Sequence, residues 1–432
     1  MKTAIIKGVS LLVAAALGSA SSLAAATEPL SAFLDRSKQH SFDAREALAT
    51  EQQRDAEADA ALGKLVPSFS ARGVYTRNQE EVAFANPMNG DKLVITPLNQ
   101  LDAYLQLDVP IIDLASYHRY KAARALTESQ TEQRGATTID VSRSVAKGYY
   151  QFLGSQALLA ASAESIKAAQ ANLKNVDDRR SAGAATDLDH ERAAASVARA
   201  EQDLADAELG AALAARSLET LSGLSPSGSG ALEADDLHGE GTLSGWMSAT
   251  GPLPQERVAQ KLAEAADQNR KAANRALFPT LSGSAQERFT NASGFSGKNA
   301  SYILQLTLSW KLDYGTIKTT DAQSAALEVQ RVRVERTRRV AEDAVFEAFK
   351  RVEAGIAKSR SARAQATAAD RAAELSMDRY GAGVATQLDV TQAQRDAFLA
   401  NAAKIQADAD LAFARASLRL AANVPVSDRR PR

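Results

Sequence analysis

The sequence predicts a mainly α-helical chain with a small β part, in which one structural unit occurs twice. Residues 178–189, DRRSAGAATDLD, and residues 378–389, DRYGAGVATQLD, are identical at eight of twelve positions. Alanine-rich heptad patterns follow both segments, and amphipathic segments of period two precede both. Internal repeats of this size define structural units. The predicted divisions are a first repeat at 27–225, a connection at 226–253, a second repeat at 254–425 and a C-terminal tail at 426–432.

Residues 1–26 have the pattern of an export signal. Lys2 and Lys7 precede an apolar run at 9–17. Small residues follow at 24–26, where a signal peptidase would cut. The apolar run is much shorter than the roughly 20 residues that a transmembrane helix needs. We therefore expect this segment to be removed from the mature chain.

Composition excludes several classes of protein. Although 45% of the 432 residues are hydrophobic, no second apolar stretch is long enough for a membrane helix, so any membrane crossing has to use β-strands. The 51 basic and 52 acidic residues are interspersed, and we therefore expect no nucleic-acid partner. The absence of cysteine suits an oxidising periplasm and removes disulfides, thiolate metal sites and a lipoprotein anchor.

The polar residues form no recognisable catalytic or metal-binding pattern. The histidines lack the spacing of metal ligands, and phosphate-binding glycine loops and nucleophile motifs are absent. We therefore predict a protein that is not an enzyme, with no cofactor, no metal site and no catalytic residue. The histidines are His40, His118, His190 and His238.

Each repeat begins with a helix that ends before a proline. These helices are predicted at 29–64 and 254–277, and Pro67 and Pro279 lie just beyond them. A proline pushes the preceding residue out of the α region, so we expect the chain to change there from helix to strand.

Two segments after each proline alternate between apolar and polar residues. The alternation is strict over nine residues from Leu101 to Val109. Each segment has about the ten residues and the two distinct faces of a tilted transmembrane strand, although each taken alone also fits a soluble hairpin. The loops at 78–100 and 291–300 are predicted to be exposed hairpin connections. The predicted strands are 67–77, 101–110, 280–290 and 302–311.

Long helices follow the strands. Residues 114–180 and 315–380 contain no proline, and 67 helical residues at 1.5 Å each would extend for roughly 100 Å. Helices predicted at 187–222 and 387–422 have alanine at most seam positions of a heptad pattern. These seams fit a thin wall of helices and an ordinary two-stranded coiled coil equally well. Residues 226–253, rich in Ser, Gly and Pro, form either a plain linker or a small domain beside the helices.

The repeated motif predicts a tight turn between two helices. In each copy a glycine can adopt the left-handed conformation that ends a helix, and a threonine can cap the next helix. An aspartate three residues later completes a T-x-x-D capping box. These residues are Gly183, Thr186 and Asp189 in the first repeat and Gly383, Thr386 and Asp389 in the second.

Four strands are too few for a closed membrane barrel, because the smallest outer-membrane barrels have eight. An open sheet edge in lipid leaves backbone N–H and C=O groups unpaired. Hydrogen bonding therefore requires a ring of subunits. The alternative is a structural or adhesive coiled-coil envelope protein without a pore. Extraction distinguishes the two, because such a protein would leave with the periplasmic fraction without detergent.

The order of proline, two strands, long helix, RYGAGVATQLDV and heptad helix, duplicated after a signal peptide, resembles the outer-membrane efflux protein family typified by TolC. The resemblance covers residues 29–425. It implies a homotrimer with a twelve-strand β-barrel in outer-membrane lipid and an α-helical tunnel in the periplasm. It also implies passive conduction in efflux or type I secretion, with a periplasmic adaptor protein and an inner-membrane transporter of the RND or ABC type.

The resemblance further implies roles for the repeated motif, which in this family is the turn at the inner end of the tunnel. Asp389 matches an aspartate of the acidic ring at the closed periplasmic aperture, and Asp189 lies at the related position of the first repeat. Tyr380 matches a tyrosine of the network that constrains the aperture. The match is incomplete, because Gln392 replaces a second ring aspartate and Ala385 replaces an arginine that ties the closed state.

Overall fold

The computed structural model describes residues 28–85, 92–227, 232–249, 251–292, 294 and 297–426. These residues form a long helical bundle with an antiparallel sheet at one end. The predicted export signal lies outside the described residues, and so does the predicted tail apart from its first residue. Among the helices described, none is both long enough and apolar enough to cross a membrane.

Most of the described chain is helical. The first repeat contains α1 (Leu30–His40), α2 (Phe42–Leu62), α3 (Leu114–Ser181) and α4 (Asp187–Ser222). The connection contains α5 (Leu243–Ala249), and the second repeat contains α6 (Pro254–Arg275), α7 (Tyr314–Gly381) and α8 (Gln387–Ala421). Because α3 and α7 have 68 residues each, each of them extends for about 100 Å.

The continuous helix predicted at 29–64 is wrong, because the structure interrupts it at Ser41. This residue has an extended backbone with φ −62° and ψ 143°. Its hydroxyl accepts a hydrogen bond from the amide of Ala44 at 3.1 Å, so Ser41 caps the start of α2. The separate helix α1 then buries Leu30 and Phe33 in a core shared with α3 and α4.

The strands lie at the end of the bundle opposite the repeated motif. The bounds are β1 (Ser68–Arg77), β2 (Val82–Ala85), β3 (Lys92–Thr96), β4 (Asn99–Ile112), β5 (Thr280–Thr290) and β6 (Ala300–Ser309). One antiparallel sheet has the order β1-β4-β5-β6, so each repeat contributes two neighbouring strands. Pro67 and Pro279 directly precede β1 and β5, where the chain changes from helix to strand.

Three details of the β part differ from the sequence prediction. The loop predicted at 78–100 contains the pair β2–β3, because this segment includes apolar residues of high strand propensity. β4 begins two residues earlier than predicted and continues past Pro110, where the register with β5 shifts because proline has no amide hydrogen to donate. β6 lies two residues earlier than predicted. Its last residue, Ser309, pairs with Thr280 at the start of β5, so the strand ends where its partner begins.

The long helices pack along the predicted alanine seams. Ala193, Ala200 and Ala207 of α4 are at most 5% exposed, and Leu411 and Leu418 of α8 are fully buried. α3 pairs with α4 and α7 pairs with α8, and α3 also packs against α6 and α8. The chain therefore forms a wall of several helices and not an isolated two-stranded coiled coil.

Candidate functional site

One face of the sheet is polar, and its charged groups contact one another. Arg72, Tyr104 and Arg288 form one row across β1, β4 and β5. The guanidinium groups of Arg72 and Arg288 lie 4.9 and 5.8 Å from the centre of the Tyr104 ring. Arg288 also donates hydrogen bonds of 3.0 and 2.8 Å to the buried carboxylate of Asp102. This face therefore presents a connected layer of polar side chains.

The opposite face of the sheet is apolar and uncovered by the described chain. Most of its large side chains are between 39% and 74% exposed. An apolar patch of this extent marks an interaction surface for lipid or protein. By register Glu287 also lies on this face, between Leu105 and Tyr302, and the alternation pattern in the sequence did not single it out. The apolar residues are Phe69, Tyr75, Leu101, Leu105, Leu107, Phe289, Tyr302, Leu304, Leu306 and Leu308.

Both edges of this sheet are open among the described residues. β1 pairs only with β4, and β6 pairs only with β5. Each edge strand therefore has a row of backbone N–H and C=O groups without a strand partner. β1 leads away from the helices after α2, whereas β6 leads back toward them before α7, so the two edges run in opposite directions.

The repeated motif forms the same turn in both repeats, and these two turns are the tips of the helical bundle. Gly183 and Gly383 have φ angles of 72° and 76°, the left-handed conformation that glycine favours. Thr186 and Thr386 each accept a hydrogen bond from the amide three residues later, and the aspartate at that position bonds back to the threonine amide. A complete capping box therefore starts both α4 and α8.

The carboxylates at the two tips differ in exposure. Asp389 is exposed, whereas Asp189 is half-buried. The amide and the hydroxyl of Thr386 donate hydrogen bonds of 2.8 and 2.7 Å to Asp389, and they hold its pKa below the ordinary value of an aspartate. Gln392 lies further along α8 and donates a hydrogen bond of 3.3 Å to Asp396.

Tyr380 is buried between the two helical pairs, in a small core that includes Val390. The guanidinium of Arg179 lies 4.6 Å from the centre of its ring. The same guanidinium donates hydrogen bonds of 2.9 and 3.2 Å to the carbonyl oxygens of Tyr380 and Gly381. Burial raises the pKa of the Tyr380 phenol, the charge of Asp189 raises it further, and Arg179 acts in the opposite direction.

Residues 232–249, called the strap below, lie across α7 and α8. Leu237, Leu243 and Trp246 pack against the apolar core between these two helices. The indole N–H of Trp246 donates a hydrogen bond of 2.7 Å to the carbonyl of Glu240. The connection is thus neither a loose linker nor a separate domain over these residues.

A buried ion-pair network attaches the strap to the helices. Arg415 of α8 is only 7% exposed and donates hydrogen bonds of 2.7 and 2.9 Å to the two carboxylate oxygens of Asp235. It also forms an ion pair with Glu240. Burial alone would lower the pKa of Arg415, but these two carboxylates outweigh it and the pKa is raised.

The acidic end of the strap also has the geometry of a cation site. One ligand atom each from Asp235, Asp236 and His238 lies within 4.8 Å of the others. Both carboxylate oxygens of Asp235 already accept hydrogen bonds from Arg415, so a guanidinium occupies the position that a cation would need. Within the described chain this group therefore acts as part of the ion-pair network.

A groove of about 810 Å³ lies between the two helical pairs on the tip side of the bundle. Small alanine side chains leave this space open, and its rim has both charges. Four of the long helices, α3, α4, α7 and α8, contribute to it. Its larger lining residues are Glu164, Arg199, Glu374, Met377, Arg395 and Phe398.

The architecture is similar to that of solved membrane proteins. A membrane protein from Pseudomonas aeruginosa has a TM-score of 0.76 at 21% identity, over 91% of this chain and 90% of that chain. The CmeC outer membrane channel of Campylobacter jejuni has a TM-score of 0.77 at 15% identity, over 92% and 86%. The open state of the MtrE outer membrane channel of Neisseria gonorrhoeae has a TM-score of 0.69 at 18% identity, over 92% and 90%. At these identities the likeness shows a shared fold.

A family comparison is more specific. No curated protein matches the sequence significantly. The sequence model of the family described as "Outer membrane efflux protein" matches residues 33–224 and 254–424, one segment within each predicted repeat. This match confirms the resemblance seen in the sequence, and the chain belongs to the outer membrane efflux protein family.

Proposed function

We propose that three copies of this chain form one channel that crosses the outer membrane and continues as a helical tunnel into the periplasm. The observation that supports this proposal is a four-stranded sheet with two open edges, one polar face and one exposed apolar face. A β-sheet that crosses a membrane has to close into a barrel, because hydrocarbon offers no hydrogen-bond partner to unpaired backbone groups. Closure by further copies pairs the edges and directs the apolar face to lipid and the polar face to a water-filled pore.

Strand direction and barrel size support a trimer. Because β1 and β6 run in opposite directions, β6 of one copy would pair antiparallel with β1 of the next, as all neighbouring strands do within the chain. Two copies would give a barrel whose interior is filled by side chains, as in known barrels of about eight strands. Three copies of a four-stranded sheet give twelve strands, which leaves more room for a pore.

Assembly begins with export. Residues 1–26 act as the cleaved signal, and the repeats 27–225 and 254–425 form the mature protomer, with the connection 226–253 at the middle of the helices. Conduction is passive, as membership of the outer membrane efflux protein family implies. An inner-membrane transporter of the RND or ABC type supplies the substrate, and a periplasmic adaptor docks in the groove between the helical pairs beside the tips.

The tips of the three protomers form the inner entrance. Asp389 contributes a ring of three exposed carboxylates, and three like charges at a narrow constriction attract cations. Asp189, at the tip of the first repeat, is half-buried, and Gln392 contributes an exposed neutral polar group. The glycine and threonine positions of the two turns hold these side chains in place.

The variant Asp389→Asn is expected to lose most of the cation preference of the channel, because asparagine retains the capping oxygen without the charge. Single-channel reversal potentials in a salt gradient measure this preference. Within one protomer the hydrogen bonds from Thr386 lower the pKa of Asp389 and keep it ionised as pH falls, whereas the like charges of the ring raise the pKa, and the preference should disappear once acid protonates the ring. Asp370→Asn removes an exposed carboxylate of α7 outside the tip and serves as the control. Equal selectivity of parent and Asp389→Asn would reject the ring.

The assembly itself is tested with purified mature protein. In detergent we expect a mass of three protomers, and in planar bilayers we expect discrete conductance steps. A monomer that remains soluble without detergent and forms no steps would contradict the channel and support the structural or adhesive alternative.

A further inference from the structure

The four strands place four charged side chains on the polar face of the sheet. By register these are Arg72, Asp102, Asp108 and Arg288. The carboxylate of Asp102 is buried and forms an ion pair of 2.8 Å with Arg288, which compensates both charges. Asp108 accepts hydrogen bonds of 2.8 and 3.0 Å from the side-chain amide of Gln106. Of the two arginines on this face of the described sheet, Arg72 thus remains without an opposite charge.

Asp108 is too far away to neutralise Arg72. It lies opposite Ser68, four residues along β1 from Arg72, which corresponds to about 13 Å at 3.3 Å per residue. This separation exceeds the Debye length of about 8 Å at physiological ionic strength, so salt screens the attraction between the two groups. Arg72 is exposed, and the described chain provides no carboxylate within ion-pair distance of it. Its charge is therefore available to a ligand in solution.

Tyr104 holds the guanidinium of Arg72 in place. The guanidinium carbon lies 4.9 Å from the centre of the Tyr104 ring, within the range of a cation–π contact. Such a contact orients the guanidinium and uses none of its five N–H donors. These donors form a planar fork that fits the oxygen atoms of a carboxylate or a phosphate. Arg72 is thus an oriented donor for an oxyanion.

The site lies at the middle of the sheet. Arg72 is the fifth of the ten residues of β1, and Tyr104 and Arg288 continue the same row on β4 and β5. In the proposed trimer the polar face lines the pore, so three copies of Arg72 surround the pore at this level. Two arginines against the single carboxylate of Asp102 leave one net positive charge per copy at this level. The low-dielectric wall of a pore focuses such a field on the ions inside it.

We propose that Arg72, supported by Tyr104, is an oxyanion site of the barrel, which binds the carboxylate or phosphate groups of solutes in the pore. This inference rests on the proposed channel function and adds a chemical class of ligand to it. Rings of basic side chains favour anions in a pore, as rings of acidic side chains favour cations. The site gives the barrel a preference opposite to that of the Asp389 ring at the inner entrance.

The test measures block of single channels by inorganic tripolyphosphate, added on the side of the bilayer where the barrel opens. We expect tripolyphosphate to block the parent, because three guanidinium groups at one level of the pore bind a polyvalent oxyanion. Arg72→Gln should raise the half-blocking concentration at least tenfold, and Arg72→Lys, which keeps the charge without the planar fork, at least twofold. Arg77→Gln should leave this concentration unchanged. It removes the other arginine of β1, which by register lies on the apolar face.

Gels run without heat denaturation first establish that each variant assembles like the parent. If Arg72→Gln does not assemble, the comparison rests on Arg72→Lys. The reversal potential in a salt gradient is a second readout, and Arg72→Gln should shift it toward cations, opposite to the shift in Asp389→Asn. A parent that tripolyphosphate does not block, or equal block in the parent and the Arg72 variants, would overturn the site and leave the channel function standing. A parent without conductance steps would reject the channel function and the site with it.

Discussion

Replacement of Leu304 by arginine is expected to prevent assembly of the channel in the outer membrane. Leu304 lies in the middle of β6 on the apolar face, and 73% of its side chain is exposed. An arginine facing lipid at the middle of the membrane costs about 2–4 kcal/mol, and the three copies in a trimer together cost roughly 6–12 kcal/mol. The amount of trimer in the outer-membrane fraction, measured on gels without heat denaturation, should fall to near zero.

The neighbouring residue provides a matched control. Gln305 lies on the polar face of the same strand, which is expected to face the water-filled interior. Gln305→Arg introduces the same charge and size one residue away, and it should leave trimer in the membrane at close to the parent amount. If the two variants assemble equally well, the assignment of the two sheet faces is wrong.

Replacement of Arg415 by methionine is expected to release the strap from α7 and α8. Arg415 is the cation of a buried network, and its loss leaves Asp235 and Glu240 without a counter-charge. Removal of one partner from a buried ion pair destabilises a protein by about 3–5 kcal/mol. Amide hydrogen exchange in residues 232–242 should therefore accelerate by roughly two to three and a half orders of magnitude, since each 1.4 kcal/mol corresponds to a factor of about ten.

Two controls separate the buried charge from a general effect of mutation. Arg395→Met removes an exposed arginine of the same helix and should leave exchange in the strap unchanged. The triple variant with Arg415→Met, Asp235→Asn and Glu240→Gln should recover much of the protection, because neutral groups are less costly to bury unpaired than charges. Equal exchange in Arg415→Met and the parent would show that apolar packing alone holds the strap.

The main elements of the fold could be predicted from periodicity. A repeat at a spacing of 200 residues, alanine heptads and strict alternation each depend on local spacing, which the sequence displays directly. Boundaries were less accurate where one side chain decides them. Ser41 ends α1 by capping the next helix, and the segment 82–96 forms its own strand pair inside a loop that looked irregular. The turn geometry at Gly183 and Gly383 agrees with the local signals in the motif.

The contacts at the candidate site were not predictable, because they join residues that are far apart in the sequence. Arg179 and Tyr380 are 201 positions apart, and Arg415 and Asp235 are 180 positions apart. The two copies of the motif differ at four of twelve positions, among them Arg180 and Tyr380, so the sequence does show that the two tips are not identical. The sequence left the connection as either a plain linker or a small domain, since no local pattern reveals the buried arginine with which its acidic residues pair.

The strap is fixed to α8 far from the tip, so a small tilt of the helix at this point would move the tip by a much larger distance. Arg415, where the strap is fixed, lies 26 residues from Asp389 along α8, or about 40 Å at 1.5 Å per residue. A tilt of about 5° at that fulcrum would displace the tip by roughly 3 Å, comparable to the size of a water molecule. In the proposed trimer, a small change in the angle of α8 beside the strap would therefore change the width of the inner entrance without unfolding the helix.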